Sequence, residues 1–255
     1  MKLTMIGQLE ACHLLSYAIA AERAVKLLPS GLEPVTHAGS AFLNIVVCRV
    51  DRMRPKLVPR ILGATYWHVA YRLQVRARLA SGDTVEGLYF LRSDVDRRLF
   101  GFMGNVFTDF RFFTSRVVVD ARSDALALDV DRTTGAPADA RLRVDGIAHG
   151  ELTPDSCFAT LAERDACLKY MPFGLSTTRG GRTLRVAEVR RDESAWSEAH
   201  VRVLGADWAF VRHLDIGELR LERATRVAPI DYRWEIGRTE TLAPAPGRRS
   251  AGRGG

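Results

Sequence analysis

The chain predicts an α+β fold that is mainly β, and three observations carry that prediction. Tyr66–Leu79 alternates: Trp67, Val69, Tyr71, Leu73, Val75, Ala77 and Leu79 share one parity, and Tyr66, His68, Arg72, Gln74, Arg76 and Arg78 share the other. Successive side chains of a strand point to opposite faces, so this is a long, half-buried strand. Ser81-Gly82-Asp83 is then a hairpin turn signal, and Val85–Arg92 is the returning strand. Ala41–Val50 is a continuous apolar, β-branched run that reads as a buried strand.

The remaining elements follow in chain order. Leu9, Cys12, Leu15, Ile19, Val25 and Leu28 approximate helical spacing, and Pro29 with Gly31 stops the pattern, so a helix is predicted over Gly7–Leu28. Two prolines make Arg52–Pro59 a loop. Asp94 is a plausible helix N-cap, followed by a helical stripe of Val95, Leu99, Phe102, Met103 and Val106. Strands are predicted at Phe110–Val119, Ala125–Val130 and Ala140–Ile147, the last two separated by Thr134-Gly135-Ala136-Pro137. Thr153-Pro154-Asp155 opens a helix to Tyr170, and Gly180-Gly181 turns a hairpin into Thr183–Arg190. Trp196–Val203 and Val227–Ile236 complete the strands.

A length of 255 residues allows one large β-rich domain or two small ones. With no internal repeat and no clean linker, residues 1–237 read as one domain and 238–255 as a disordered Pro/Gly/Arg tail. No stretch approaches the roughly 20 apolar residues that a spanning helix needs. The apolar run Leu14–Ala21 is preceded by Glu10 and His13, so it suits an amphipathic helix better than a secretory leader. Cys12, Cys48, Cys157 and Cys167 form no C-x-x-C pair and sit among apolar neighbours, as free thiols in a reducing cytoplasm do. The expectation is a cytoplasmic protein with no membrane association.

The formal net charge is +7, carried by arginine: only Lys2, Lys26, Lys56 and Lys169 are lysines. The positive charges are scattered and are not interleaved with aromatics, so no specific nucleic-acid surface is expected. The six histidines show no H-x-x-x-H or H-E-x-x-H spacing, and no nucleotide-binding or nucleophile-elbow motif occurs. Neither a metal nor a cofactor is expected.

Three segments in order, LLPSGLEPVTHAGSAFLNIVVCRVDRMRP, ATYWHVAYRLQVRARLASGDTVEGLYFLRSDVDRRLFGFMGNVF and LAERDACLKYM, resemble the acetoacetate decarboxylase-like superfamily. The likeness is to its YqjF-like branch of bacterial proteins, a domain of unknown function, over roughly residues 7–235. It implies a strongly curved antiparallel sheet closing into a cone or barrel around a ligand-sized cavity, with flanking helices. Decarboxylases of that superfamily attack a β-keto acid with a lysine amine that follows a Gly-Phe-Pro segment. The comparable segment here is Gly101-Phe102-Met103-Gly104-Asn105, without the proline and without a lysine. A carboxylate that the decarboxylases carry would fall at about His68. The resemblance therefore implies the scaffold and not the Schiff base.

If a cavity exists, Tyr66, His68, Arg72 and Gln74 form a face that suits it, with Arg72 as carboxylate clamp and His68 as the candidate catalytic acid or base. The same residues suit an ordinary wet face, and arginines at 72, 76 and 78 repeat as such a face would. Glu86 lies across the hairpin, near enough to line the cavity or to form a cross-strand ion pair. Asn105 lies close to the lysine position of the family. The candidate substrate-binding set is thus Tyr66, His68, Arg72, Glu86 and Asn105. The leading expectation is a protein that binds a small organic acid or carbonyl compound, with catalysis on it, without a Schiff base, left open. The alternatives are a non-catalytic ligand-binding or homo-oligomerising module of the same fold, and a Schiff-base decarboxylase or aldolase-like enzyme.

Overall fold

The computed structural model describes residues 3–121, 125–131, 139–178 and 180–244. The chain opens with β1 (Leu3–Ala20), α1 (Ala21–Lys26), β2 (Leu32–Pro34), β3 (Thr36–His37) and β4 (Ser40–Pro55). The predicted hairpin follows as β5 (Ala64–Arg78) and β6 (Thr84–Val95), then α2 (Arg98–Phe107), β7 (Phe112–Thr114) and β8 (Arg116–Ala121). Next come β9 (Ala125–Asp131), β10 (Ala140–Ile147), α3 (Leu161–Cys167), β11 (Phe173–Thr177) and β12 (Thr183–Arg191). The chain ends with β13 (Glu198–Trp208), α4 (Ala209–His213), β14 (Arg220–Val227) and β15 (Ile230–Thr241).

Pairing runs β4–β5–β6–β11–β12–β15–β1, and β1 pairs back onto β4, so the curved sheet closes on itself as a ring. All ring pairings are antiparallel except the short β6–β11 step. The 18-residue β1 makes closure possible. Its first half, Leu3–Leu9, pairs with β15, whereas Cys12–Ala18 pairs with β14. From β14 an arm continues through β13, β10 and β9 to β8. The arm packs Leu126, Leu128 and Leu142 into the same apolar cluster as Leu43, Tyr71 and Leu73, covering the outer face of the ring. The inner face carries a second cluster, including Val46, Ala70, Phe90 and Tyr232.

The helix predicted over Gly7–Leu28 is instead a strand to Ala20, with only Ala21–Lys26 helical. The reason is burial on both faces. Leu15, Tyr17 and Ile19 enter the outer cluster while Cys12 and Leu14 face inward, so the period-2 signal disappears and an accidental helical spacing remains. Asp94 caps no helix. It lies buried at the end of β6, and α2 starts only at Arg98. The helix predicted from Thr153 shrinks to Leu161–Cys167, where the Thr160 side chain accepts the Glu163 N–H and Glu163 accepts from Ala159. Val227–Ile236 is two strands, because Ala228-Pro229 turns between β14 and β15. Strand β15 runs past residue 237 to Thr241, and Leu242 bridges Leu79; residues 245–255 of the expected tail, and Thr134-Gly135-Ala136-Pro137, lie outside the described residues. All four cysteines are free thiols, with Cys12 and Cys48 buried and Cys157 and Cys167 only half-buried.

Two glycines fix local geometry. Gly31, at φ +88°, occupies the third position of the turn in which Leu32 N–H donates to Pro29 C=O, a place that requires left-handed backbone. Gly87 lies where β6 meets β11, and an added Cβ would stand 2.5 Å from the Phe173 carbonyl oxygen. Backbone cannot yield as a side chain can. Gly87→Ala is therefore expected to cost about 1–3 kcal/mol, read as a lower denaturant midpoint with an unchanged slope.

Candidate functional site

The inner face of the ring encloses a cavity of about 140 Å³. Its wall is built in rungs that run across paired strands. Cys12, Cys48 and His68 stand opposite one another on β1, β4 and β5. Leu14, Val46 and Ala70 form the next rung, and Ser16, Asn44, Arg72 and Phe90 the one after it. All ten residues line the cavity. Tyr232 and Trp234 of β15 close the far side, and the Leu168–Met171 segment, Arg191, Trp196 and Arg223 border it further.

His68 and Arg72 are four residues apart on one strand, so their backbones lie roughly 13 Å apart along the wall. Burial pushes the His68 imidazole down to about 3, and the Arg72 charge adds to that effect. The ring is therefore neutral at physiological pH, and among the described residues its Nε2 has no hydrogen-bond partner. Phe112 stacks on it, with centroids 5.4 Å apart at 26°. Desolvation lowers Arg72 to about 10, which leaves it charged at neutral pH. Its guanidinium carbon lies 5.7 Å from the centre of the Phe90 ring, and among the described residues its Nε has no hydrogen-bond partner. Among the described residues no carboxylate pairs with Arg72.

The other two guanidinium groups at the cavity are compensated. Arg191 is sandwiched between Tyr170 and Trp196, at 3.5 and 3.1 Å from the ring centres, and pairs with Glu193 at 2.9 Å. Arg223 pairs with Glu198, whose other carboxylate oxygen accepts from Thr225 at 3.1 Å. Lys169 borders the cavity from an exposed position. Among the described residues no group of three His, Cys, Asp or Glu side chains is placed to hold a metal ion.

Of the five candidates from the sequence, only His68 and Arg72 line the cavity. Tyr66 is buried one layer away, stacked on Phe100 at 4.4 Å. Glu86 is turned outward in an ion pair with Arg76, its direct cross-strand partner, at 2.9 Å. Its parity places it on the His68 side, but β6 leaves the cavity before that end of the hairpin. Asn105 does not reach inward either. It clamps the backbone of Phe112, donating to the carbonyl at 2.8 Å and accepting from the N–H at 2.7 Å. Its effect on the site is indirect, because Phe112 is the ring that stacks on His68.

Sequence reasoning misses Cys12, Ser16, Asn44 and Cys48, and the β15 aromatics Tyr232 and Trp234. Small polar residues at alternate positions of β1 and β4 (Cys12 and Ser16; Asn44 and Cys48) are the available signal, since a fully apolar core strand has no use for them. That signal is hidden on β1 once the segment is read as a helix.

The family model DUF2071, described as an uncharacterized conserved protein, matches residues 8–218. No curated protein matches the chain. Among solved structures, an acetoacetate decarboxylase-like enzyme from Sphingomonas wittichii RW1 is similar at TM-score 0.56 and 12% identity, over 94% of this chain and 92% of that one. Acetoacetate decarboxylase from Legionella pneumophila subsp. pneumophila str. Philadelphia 1 is similar at TM-score 0.56 and 12% identity, over 95% and 87%. The enduracididine biosynthesis enzyme MppR, complexed with pyruvate, is similar at TM-score 0.53 and 12% identity, over 96% and 91%. At such identities the likeness is one of fold. The closed ring, its inward-facing rungs and the match along most of the length agree: the chain belongs to the DUF2071 family, with an acetoacetate decarboxylase-like fold.

Proposed function

We propose that the ring cavity binds a small organic acid, with the carboxylate of the ligand on Arg72 and its apolar body against Val46, Ala70 and Phe90. The observation that carries this reading is Arg72 itself. It is a charged guanidinium facing a largely apolar enclosure, and among the described residues no carboxylate pairs with it. Such a group is costly to keep unless something anionic meets it, and a planar carboxylate matches the fork of donors. The cavity, about 140 Å³, is close to the roughly 150 Å³ that accommodates a benzene-sized guest in an engineered protein. The ligand is therefore compact. MppR, similar in fold, is complexed with pyruvate, an acid of that compass.

His68 contributes as a neutral imidazole. A ring held near 3 is a weak base, so its first role is to hydrogen-bond and orient the ligand through Nε2. Any proton transfer through it requires the bound anion to offset the Arg72 charge first. The arrangement supports chemistry on a carboxylate or carbonyl substrate without a Schiff base, in a cytoplasmic setting.

Calorimetry against a panel of small monocarboxylates and 2-oxo acids tests the proposal. Arg72→Ala is expected to weaken the best ligand by about 1.5–3 kcal/mol, roughly ten- to a hundredfold, while the protein stays folded. Equal affinity in wild type and variant would place the anion elsewhere. Borohydride treatment with pyruvate is expected to leave the mass unchanged. A covalent gain on Lys169, the lysine that borders the cavity, would return the chemistry to a Schiff base.

A further inference from the structure

Two neighbouring segments leave large apolar side chains in water. In the loop between β4 and β5, Leu57, Ile61 and Leu62 are 95, 90 and 70% exposed. On α2, Leu99 and Phe102 are 66 and 67% exposed, and Met103 and Val106 continue the same helical stripe. Such a concentration is not scattered surface apolarity, and exposed apolar surface rimmed by polar residues marks interaction sites. The two segments emerge at the same end of the ring. Phe100 of α2 stacks on Tyr66, four residues after Leu62, and Asp96, just before α2, exchanges hydrogen bonds with Trp67.

The charge around this apolar surface decides what covers it. Residues 52–63 and 97–108 contain no Asp or Glu. Lys56 and Arg60 flank the loop tip, and Arg97 and Arg98 open the helix, all exposed. Among the described residues none of the four is paired with a carboxylate. The loop is also shaped from within: Arg54 donates to the carbonyls of Val58 and Arg52 at 3.1 and 3.0 Å, which presents Leu57 outward. Apolar side chains at the tip with a collar of cations around them fit an anionic lipid surface, where the side chains enter the acyl boundary and the cations stay among the headgroups. A second copy docked face to face would instead oppose two identical sets of positive charge. We infer that this end of the ring docks on anionic membranes, with the Leu57–Leu62 loop and the α2 face as the inserting elements. The lack of a spanning helix among the described residues does not bear on such interfacial binding.

Vesicle co-sedimentation of the full chain tests this, with phosphatidylcholine alone and with phosphatidylcholine mixed with phosphatidylglycerol. The chain is expected to pellet with the mixed vesicles, weakly or not at all with the neutral ones, and less at high salt. Lys56→Gln and Arg60→Gln should each lower the partition coefficient roughly fivefold. Ile61→Ser combined with Leu62→Ser should abolish pelleting without moving the thermal midpoint, since both side chains already face water. Three results overturn the inference: no binding to the mixed vesicles, binding that the serine variant retains, or a solution dimer that the serine variant dissociates. The last would assign the face to a second copy.

Discussion

Asp94→Ala is expected to lower stability by about 3–5 kcal/mol, among the largest losses that a single substitution in this chain can cause. Asp94 and Arg92 are each 1% exposed. Arg92 Nε donates to the carboxylate at 2.9 Å, Arg92 Nη2 at 3.0 Å, and the Ser115 hydroxyl at 2.9 Å. The guanidinium also lies over the Phe113 ring at 4.0 Å, and Phe210 of α4 approaches it at 5.5 Å. The pair thus joins β6 to the start of β8 and to the outer aromatic layer. Deleting the carboxylate removes the bidentate partner of a buried guanidinium, and removing one partner of a buried pair costs more than the pair contributes. Arg92→Met on top of Asp94→Ala should recover a substantial part of the loss, because the charge is then gone from the interior. Urea denaturation of the two variants checks both statements. A double variant as unstable as Asp94→Ala would mean that the packing of Arg92, and not its charge, dominates.

The same pair illustrates what sequence could and could not reveal. Asp94 before a helical stripe has the form of an N-cap, and nothing local distinguishes it from a carboxylate that folds back onto the arginine two residues earlier on the same strand. The β5–β6 hairpin was legible because the two faces of β5 differ: the outer one is apolar from Trp67 to Ala77, and the inner one carries His68, Arg72 and Gln74. β1 was not legible, because ring closure gives it covered surface on both sides and erases the alternation on which strand reading depends. The site follows the same division. His68 and Arg72 lie on the legible strand. Cys12, Asn44, Tyr232 and Trp234 reach the cavity through β1–β4 and β1–β15 pairings between distant parts of the chain, which no local pattern encodes. Glu86 and Asn105 have plausible positions in sequence, but their side chains have nearer partners, Arg76 and the Phe112 backbone.

Acid is expected to destabilise the protein in a way that reports directly on the cavity. His68 is held down to about 3 and His13 to about 4, each mainly by burial, with Arg72 and Arg226 adding to the effect. In the unfolded chain both histidines return to an ordinary value near 6.5. Between those values the unfolded state binds more protons than the folded one, so stability is complete above about pH 6.5 and falls as the pH drops toward 4 and then 3. Two such groups cost about 4 kcal/mol at pH 5, with a slope that approaches two protons. His68→Gln removes one titrating group and should reduce that slope by one proton between pH 4 and 6, measured as denaturation midpoint against pH. An unchanged slope would show that His68 is already solvated in the folded chain. The ligand adds a second arm. A carboxylate on Arg72 cancels the charge that helps to depress His68, so a saturating small organic acid should flatten the wild-type profile and leave the His68→Gln profile with a smaller change. That difference ties the proton affinity of one buried imidazole to the occupancy of the arginine four residues along the same strand.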